Sequence, residues 1–422
     1  MDNESYQKTV LDNGIRVVSE RIPQFHSACV GIWVNVGSRD EAENESGLTH
    51  FIEHMLFKGT KRRSALDIAK ELDAVGGMAN AFTTKENTCF HAKVLDTHLE
   101  VVVDILADLF LYSVFDPREL EREREVILQE IHMVEDTPDE YIHILFNQTF
   151  WDGNPLARPI LGNGQTLQNF TREMAMAYFN HAYHPDRIVL SAAGNVDHHR
   201  LVDLIEPSFA GMERRPYHLQ RIPPSTTSRV SLAPRELEQV HFCLGTEGTS
   251  IVEEDRYSCS ILNVILGGSM SSRLFQEVRE RHGLAYSIYS FLNSHTDAGV
   301  LGVYAAVRQE NARKTIELVA KELQRLKREP ISAAELRDAK EHIKGGIYLS
   351  AEHSDNRMSR LAKNEFNFGR VISYREIESG LERVTAEDVQ ALAQRIFRPE
   401  LCSLVLLGPV EGLGIDLGFL DP

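Results

Sequence analysis

Gly47-Leu48-Thr49-His50-Phe51-Ile52-Glu53-His54-Met55-Leu56-Phe57 reads as one short helix whose polar face carries two imidazoles and a carboxylate. At about 100° per residue, His50, Glu53 and His54 fall within one arc of roughly 100°. Phe51, Ile52, Leu56 and Phe57 supply apolar anchoring around them. Two neutral His nitrogens four residues apart suit Zn²⁺, and a Glu one turn from the first His is placed to take a proton from water at the metal.

A third ligand has to come from elsewhere. Phe115-Asp-Pro-Arg-Glu-Leu-Glu-Arg-Glu123-Arg-Glu-Val-Ile-Leu-Gln-Glu130-Ile-His-Met-Val-Glu135 opens with a helix-start signal at Asp116-Pro117. Glu123 and Glu130 are seven positions apart and so differ by about 20° around the helix. They share a face, which taken alone fits a solvated charged stripe as well as an inward-facing pair.

The spacing from His54 to Glu130, with the wording Glu121-Arg-Glu-Arg-Glu-Val-Ile-Leu-Gln-Glu130, resembles the peptidase family of pitrilysin, insulysin and the mitochondrial processing peptidase β subunit. The H-x-x-E-H order is the inverzincin motif. The resemblance runs over nearly the whole chain. It implies one Zn²⁺ per chain held by His50, His54 and Glu130, with Glu53 as general base and Glu123 as a supporting carboxylate. It also implies metalloendopeptidase activity on extended peptides. Two other readings stay open: a non-catalytic or partner-dependent subunit of a processing-peptidase-like complex, and a zinc hydrolase acting on small amides.

Met78-Ala-Asn-Ala-Phe-Thr-Thr-Lys-Glu-Asn-Thr-Cys-Phe-His-Ala-Lys-Val94 reads as strand, polar turn and strand. In the family the first of these is a sheet edge along which substrate lies, gripped through its backbone. Asn80, Ala81 and Phe82 are the corresponding candidates here. His91 reads as a strand residue with its hydrogen bonds satisfied rather than a ligand, and His198-His199 as an exposed helix start.

Residues 214–228 have the Pro and Ser content of a linker. The second half of the chain repeats the first. Val240 to Gly245 answers Val30 to Val36, Tyr257 to Gly268 answers the motif helix, and Ala333 to Gly346 answers Pro117 to Glu130. Hand alignment sets Cys259 against His50, Leu262 against Glu53, Asn263 against His54 and Gly346 against Glu130, so the second copy lacks the metal-binding set. The expected domains are 1–213 with the metal site, a linker at 214–228, and a homologous domain at 229–422. The fold class is α+β, each domain a largely antiparallel sheet with helices packed on it.

The second copy contains Gly267-Gly-Ser-Met-Ser-Ser-Arg-Leu-Phe-Gln-Glu-Val-Arg279-Glu-Arg-His-Gly-Leu-Ala-Tyr286. Its Gly-rich turn has neither nucleotide-binding spacing. By resemblance, Arg279 and Tyr286 contact substrate and stabilise the transition state. Double-length family members pair zinc from their first domain with this Arg and Tyr from their fourth. A chain of this length is therefore expected to form a homodimer with composite active sites.

Composition bounds the partners. With 42% apolar and 25% charged residues among 422, the chain reads as globular. Its net charge of −17 argues against a nucleic-acid partner and favours neutral or cationic peptides. Cys29, Cys89, Cys243, Cys259 and Cys402 are scattered and read as reduced, mostly buried thiols. No stretch reads as a signal peptide, presequence or membrane span, so a cytoplasmic location is expected.

Overall fold

The β-branched runs become strands whose central members are buried on both faces. The computed structural model describes residues 5–214, 220–415 and Gly418. Of the linker expected at 214–228, residues 215–219 lie outside the described residues, as do the first four residues of the N-terminal stretch.

Six strands form the first sheet: β1 (Tyr6–Val10), β2 (Arg16–Arg21), β3 (Ser27–Val34), β4 (Met78–Thr83), β5 (Thr88–Leu95) and β6 (Ile188–Gly194). Their order is β1-β2-β6-β3-β5-β4, with β2 and β6 parallel and every other pair antiparallel. Between and after them come α1 (Leu48–Leu56), α2 (Ala65–Ala74), α3 (Leu99–Tyr112), α4 (Pro117–Glu135), α5 (Pro138–Phe150), α6 (Gly164–Gln168), α7 (Arg172–Ala182) and α8 (His198–Phe209). Successive side chains on a strand point to opposite faces. Val30, Ile32 and Val34 of β3 therefore enter a large core with Phe51 of α1, Val102 of α3, Tyr178 of α7 and Leu201 of α8, while Cys29 and Trp33 face the other way.

The second sheet contains β7 (Arg229–Pro234), β8 (Val240–Glu247), β9 (Ala285–Ser294), β10 (Gly299–Val307) and β11 (Ser403–Gly408) in the order β7-β11-β8-β10-β9. Here too one pair, β7 with β11, is parallel. The order β2-β6-β3-β5-β4 of the first sheet is thus repeated strand for strand, as the internal repeat in the sequence requires. The helices are α9 (Arg256–Leu266), α10 (Gln309–Arg328), α11 (Ala333–Ser350), α12 (Ser354–Phe368), α13 (Tyr374–Arg383) and α14 (Ala386–Ile396).

The chain divides into two compact units that are not contiguous in sequence. The first holds the described residues up to His132, within Arg158–Arg221 and in Leu349–Ser373; the second holds Met133–Ala157, Ile222–Tyr348 and the described residues from Tyr374 onward. Within the first unit, α12 covers the outer face of the first sheet: Met358, Leu361 and Ala362 pack on Val18, Cys29, Trp33, Cys89, Val189 and Ala193. Trp33 Nε1 donates to Met358 Sδ at 3.0 Å, and a Cβ on Gly31 would lie 2.7 Å from that sulfur, so any larger residue there makes the Met358 side chain shift. Within the second unit, α5 plays the same part with Ile142, Phe146 and Phe150 against Cys243, Tyr304, Val405 and Leu407.

A division at the linker gives α5 to the first half and α12 to the second; each packs on the sheet of the other half. All five cysteines are buried and unpaired, as expected. No helix among the described residues is long and apolar enough to cross a membrane.

Candidate metal centre

A nine-residue helix has little stability of its own. α1 is held by burial, with Leu48, Phe51, Ile52, Met55 and Leu56 fully covered. Its entry is set by Gly47, whose φ of 95° lies in the left-handed region and where a Cβ would stand 2.7 Å from Leu161 O. The buried Glu41 carboxylate closes the first turn, accepting from Gly47 N at 2.8 Å and Thr49 N at 2.7 Å. Burial pushes the Glu41 carboxyl up to about 8 against those hydrogen bonds.

α4 is fixed by Arg124, which donates to Leu167 O and, at 2.8 Å, to Phe170 O. That orientation turns Glu123 and Glu130 toward α1. Glu130 Oε2 lies 3.7 Å from His50 Nε2 and 3.8 Å from His54 Nε2. One donor atom from each of His50, His54 and Glu130 lies within 4.8 Å of the others, a group that could hold a metal ion; no second such group occurs among the described residues. Burial, with His54 beside it, pushes His50 down to about 3, so it is neutral at ordinary pH, the form that ligates. Two imidazole nitrogens and a carboxylate oxygen fit zinc.

Glu123 stands behind this group. Its Oε2 is 3.0 Å from His54 Nδ1 and its Oε1 is 2.7 Å from Lys58 Nζ. A partner on Nδ1 leaves His54 Nε2 free to face inward. His50 Nδ1 is buried with no hydrogen-bond partner among the described residues, so that ring is placed largely by packing.

Glu53 is 8% exposed, and its Oε2 accepts from Thr83 Oγ1 at 2.5 Å. Burial raises its carboxyl above the ordinary range, the Thr83 hydroxyl and His54 oppose that, and Glu130 adds to it. Thr83 ends β4, an edge strand of the first sheet. Of the residues expected on this edge, Asn80 is exposed and its Oδ1 accepts from Ala81 N at 2.9 Å, while Phe82 turns to the other face and meets Trp33 edge-on at 5.4 Å.

The remaining two site candidates lie in the second unit. Arg279 sits in a π-helical stretch, Phe275–Arg281, with its guanidinium 4.7 Å from the Phe275 ring centre and 4.8 Å from that of Tyr286. Tyr286, at the start of β9, is 82% exposed. The second-copy counterparts Cys259, Leu262 and Asn263 lie on α9, and Gly346 lies on α11.

Of the histidines read as having no part in the site, His91 is on β5 as expected, opposite Asn80, but its Nδ1 is buried without a hydrogen-bond partner among the described residues. His198 starts α8 but is buried rather than exposed, because Nε2 pairs with Thr9 Oγ1 and Nδ1 with Ser19 Oγ, both at 2.8 Å. Thr83, Glu41 and Lys58 were not among the sequence candidates. Nothing local marks Thr83 as a partner of a residue thirty positions away.

Residues 16–164 match the family described as Insulinase (Peptidase family M16), and residues 169–343 match Peptidase M16 inactive domain. A Bacillus subtilis protein named "Uncharacterized zinc protease YmxG" is 40% identical, over 96% of this chain and 98% of its own. A Mycobacterium tuberculosis protein named "Uncharacterized zinc protease Rv2782c" is 42% identical, over 96% of this chain and 93% of its own. Among solved structures, a protease from Helicobacter pylori superposes with a TM-score of 0.88 at 21% identity, covering 96% of this chain and 99% of that one. A Pseudomonas fluorescens structure titled as a peptidase M16 inactive domain gives 0.89 at 19%, covering 96% and 98%; at such identities both speak for the fold. With relatives at this identity over nearly its whole length, and both family domains matched in order, the chain belongs to the M16 (insulinase) peptidase family.

Proposed function

We propose that this chain is a zinc-dependent metalloendopeptidase that hydrolyses unfolded or extended peptides, with one Zn²⁺ per chain and a cytoplasmic location. The observation that carries the reading is the convergence of His50, His54 and Glu130 on one space beside a buried carboxylate, Glu53, held by its own hydroxyl donor. A metal site kept for structure alone has no use for such a base.

Zinc, when bound by His50, His54 and Glu130, supplies Lewis-acid polarisation of the scissile carbonyl and acidifies water. Glu53 takes the proton from the attacking water and passes it to the leaving amine. Burial raises its proton affinity and so suits it to both halves of that transfer. Glu123 orients His54 through Nδ1, and a peptide adds to the free edge at Asn80, Ala81 and Phe82 by backbone pairing. Arg279 and Tyr286 are donors for the developing oxyanion, and the resemblance to double-length family members supports a homodimer in which each site draws on both copies.

Incubation with an unstructured peptide tests the activity. Cleavage is expected, stopped by a chelator and restored by Zn²⁺, with a compact folded protein left intact. A chain carrying one zinc that cleaves no peptide would be a non-catalytic subunit, and turnover of small amides alone would make it another kind of hydrolase.

Glu123 gives an independent check. Glu123→Ala removes the partner of His54 Nδ1 and is expected to weaken zinc binding about 10–100-fold, read by competition with a metal indicator. Unchanged affinity would remove Glu123 from the site.

A further inference from the structure

Arg221 lies in the stretch that reads as a linker, yet its side chain is only 9% exposed. Its Nε and Nη2 donate to the two oxygens of the Asp40 carboxylate at 2.9 and 2.8 Å, a fork-to-fork pair. Nη2 also donates to Glu86 O at 2.8 Å, and Nη1 stands 3.5 Å from Glu86 Oε1. Glu86 Oε1 in turn accepts from Arg39 Nη1 at 2.6 Å. Arg221, Arg39, Asp40 and Glu86 thus pair in one buried cluster of opposite charges.

That cluster sits where two loops cross. Ser38 N donates to Thr84 O at 3.1 Å and Arg39 N to Lys85 O at 2.9 Å, joining the loop that leads into α1 to the turn that leads out of β4. The turn is closed by Thr84 N to Asn87 O at 2.8 Å. Immediately before it stands Thr83, whose hydroxyl holds Glu53. Buried ion clusters cost desolvation that apolar packing does not, and their best-attested use is to fix one arrangement against alternatives.

We propose that Arg221 is a positioning residue for the hydrolysis assigned above: by clamping the Asp40 loop and the Glu86 turn together, it fixes Thr83 and through it the Glu53 carboxylate. The proposal rests on the reading of Glu53 as the base. The linker is then part of the machinery that sets the base, because a displacement of about 1 Å in a reacting group can cost on the order of 100-fold in rate.

The test combines hydrogen exchange with a double-mutant cycle on the full-length chain. In Arg221→Met, exchange at the Ser38 and Arg39 amides is expected to rise about tenfold or more, with zinc content unchanged. Its kcat on an unstructured peptide is expected to fall on the order of tenfold with KM held within about twofold. Thr83→Val should lower kcat similarly, and the double variant should be no slower than the slower single one, since both act on the same carboxylate. Arg214→Ala, at a 65% exposed linker position paired with Asp186, should change none of these.

If Arg221→Met fails to fold, Arg221→Lys keeps the charge, loses the fork and carries the same measurements. Unchanged exchange at Ser38 and Arg39 would overturn the clamp, and losses that multiply in the double variant would overturn the route through Thr83. A parent chain that cleaves no peptide would overturn the peptidase reading and the positioning role with it, while the exchange result still reports the clamp by itself.

Discussion

Glu53→Gln is expected to keep its zinc and lose about 10²–10⁴-fold in peptide cleavage, whereas His50→Ala and Glu130→Gln lose the metal. The two outcomes separate because the residues differ in what they face. Glutamine retains an oxygen that can accept from Thr83, so the helix and the hydroxyl at 2.5 Å have no reason to move, but an amide cannot take the proton. Glu130 is different. Its carboxylate lies within 4 Å of both imidazoles and is the one anion among the three donors, so neutralising it removes the charge that favours a dication. His50 is buried and its Nδ1 has no partner among the described residues, so alanine there removes a ligating nitrogen and leaves a void. Elemental analysis gives zinc per chain, and a fluorogenic peptide gives the rate. A Glu53→Gln chain that cleaves at the parental rate would end the assigned mechanism, and a Glu130→Gln chain that retains full zinc would remove Glu130 from the ligand set.

The parts of the molecule legible in the sequence are those in which one local period fixes the outcome. His50, Glu53 and His54 share an arc by helical geometry alone, and Glu123 with Glu130 share one by the near-coincidence of seven residues with two turns. The repeat was readable because strands buried on both faces leave apolar runs that recur in order. Partners chosen in three dimensions were not readable. Ile142, Phe146 and Phe150 mark α5 as amphipathic, but any sheet face of Val, Cys and Leu would take that stripe, so its assignment to the second sheet had no local signal. The same holds for Met358, Leu361 and Ala362 of α12 on the first sheet. His198 followed a strand and preceded a helix, and only the folded chain brings Thr9 and Ser19 to its two nitrogens. Arg221 lay among prolines and serines, in a composition that otherwise marks exposed chain.

Co-expression of Glu53→Gln and Tyr286→Phe chains, each inactive alone, is expected to restore roughly a quarter of parental activity. The metal ligands belong to the first unit, and Arg279 with Tyr286 belongs to the second. Tyr286 is 82% exposed in the single chain, so its hydroxyl is accessible to a group outside it. The Arg279 guanidinium lies 4.8 Å from the centre of its ring, a favourable contact that keeps the two candidate oxyanion donors side by side. If the two groups act across a two-fold axis, random pairing makes about half the dimers mixed, and each mixed dimer has one site built from an intact Glu53 and an intact Tyr286. Half of the dimers with half of their sites gives the quarter. If both residues act within one chain, every site in a mixed dimer lacks one of them and nothing is restored. Native mass spectrometry confirms that mixed dimers have formed, and the peptide assay reads the outcome. Mixed dimers that are no more active than the separate variants would place Glu53 and Tyr286 in the same chain's site, or remove Tyr286 from catalysis; the rate of the Tyr286→Phe chain by itself distinguishes these, since a tyrosine without a catalytic task can lose its hydroxyl with no loss of rate.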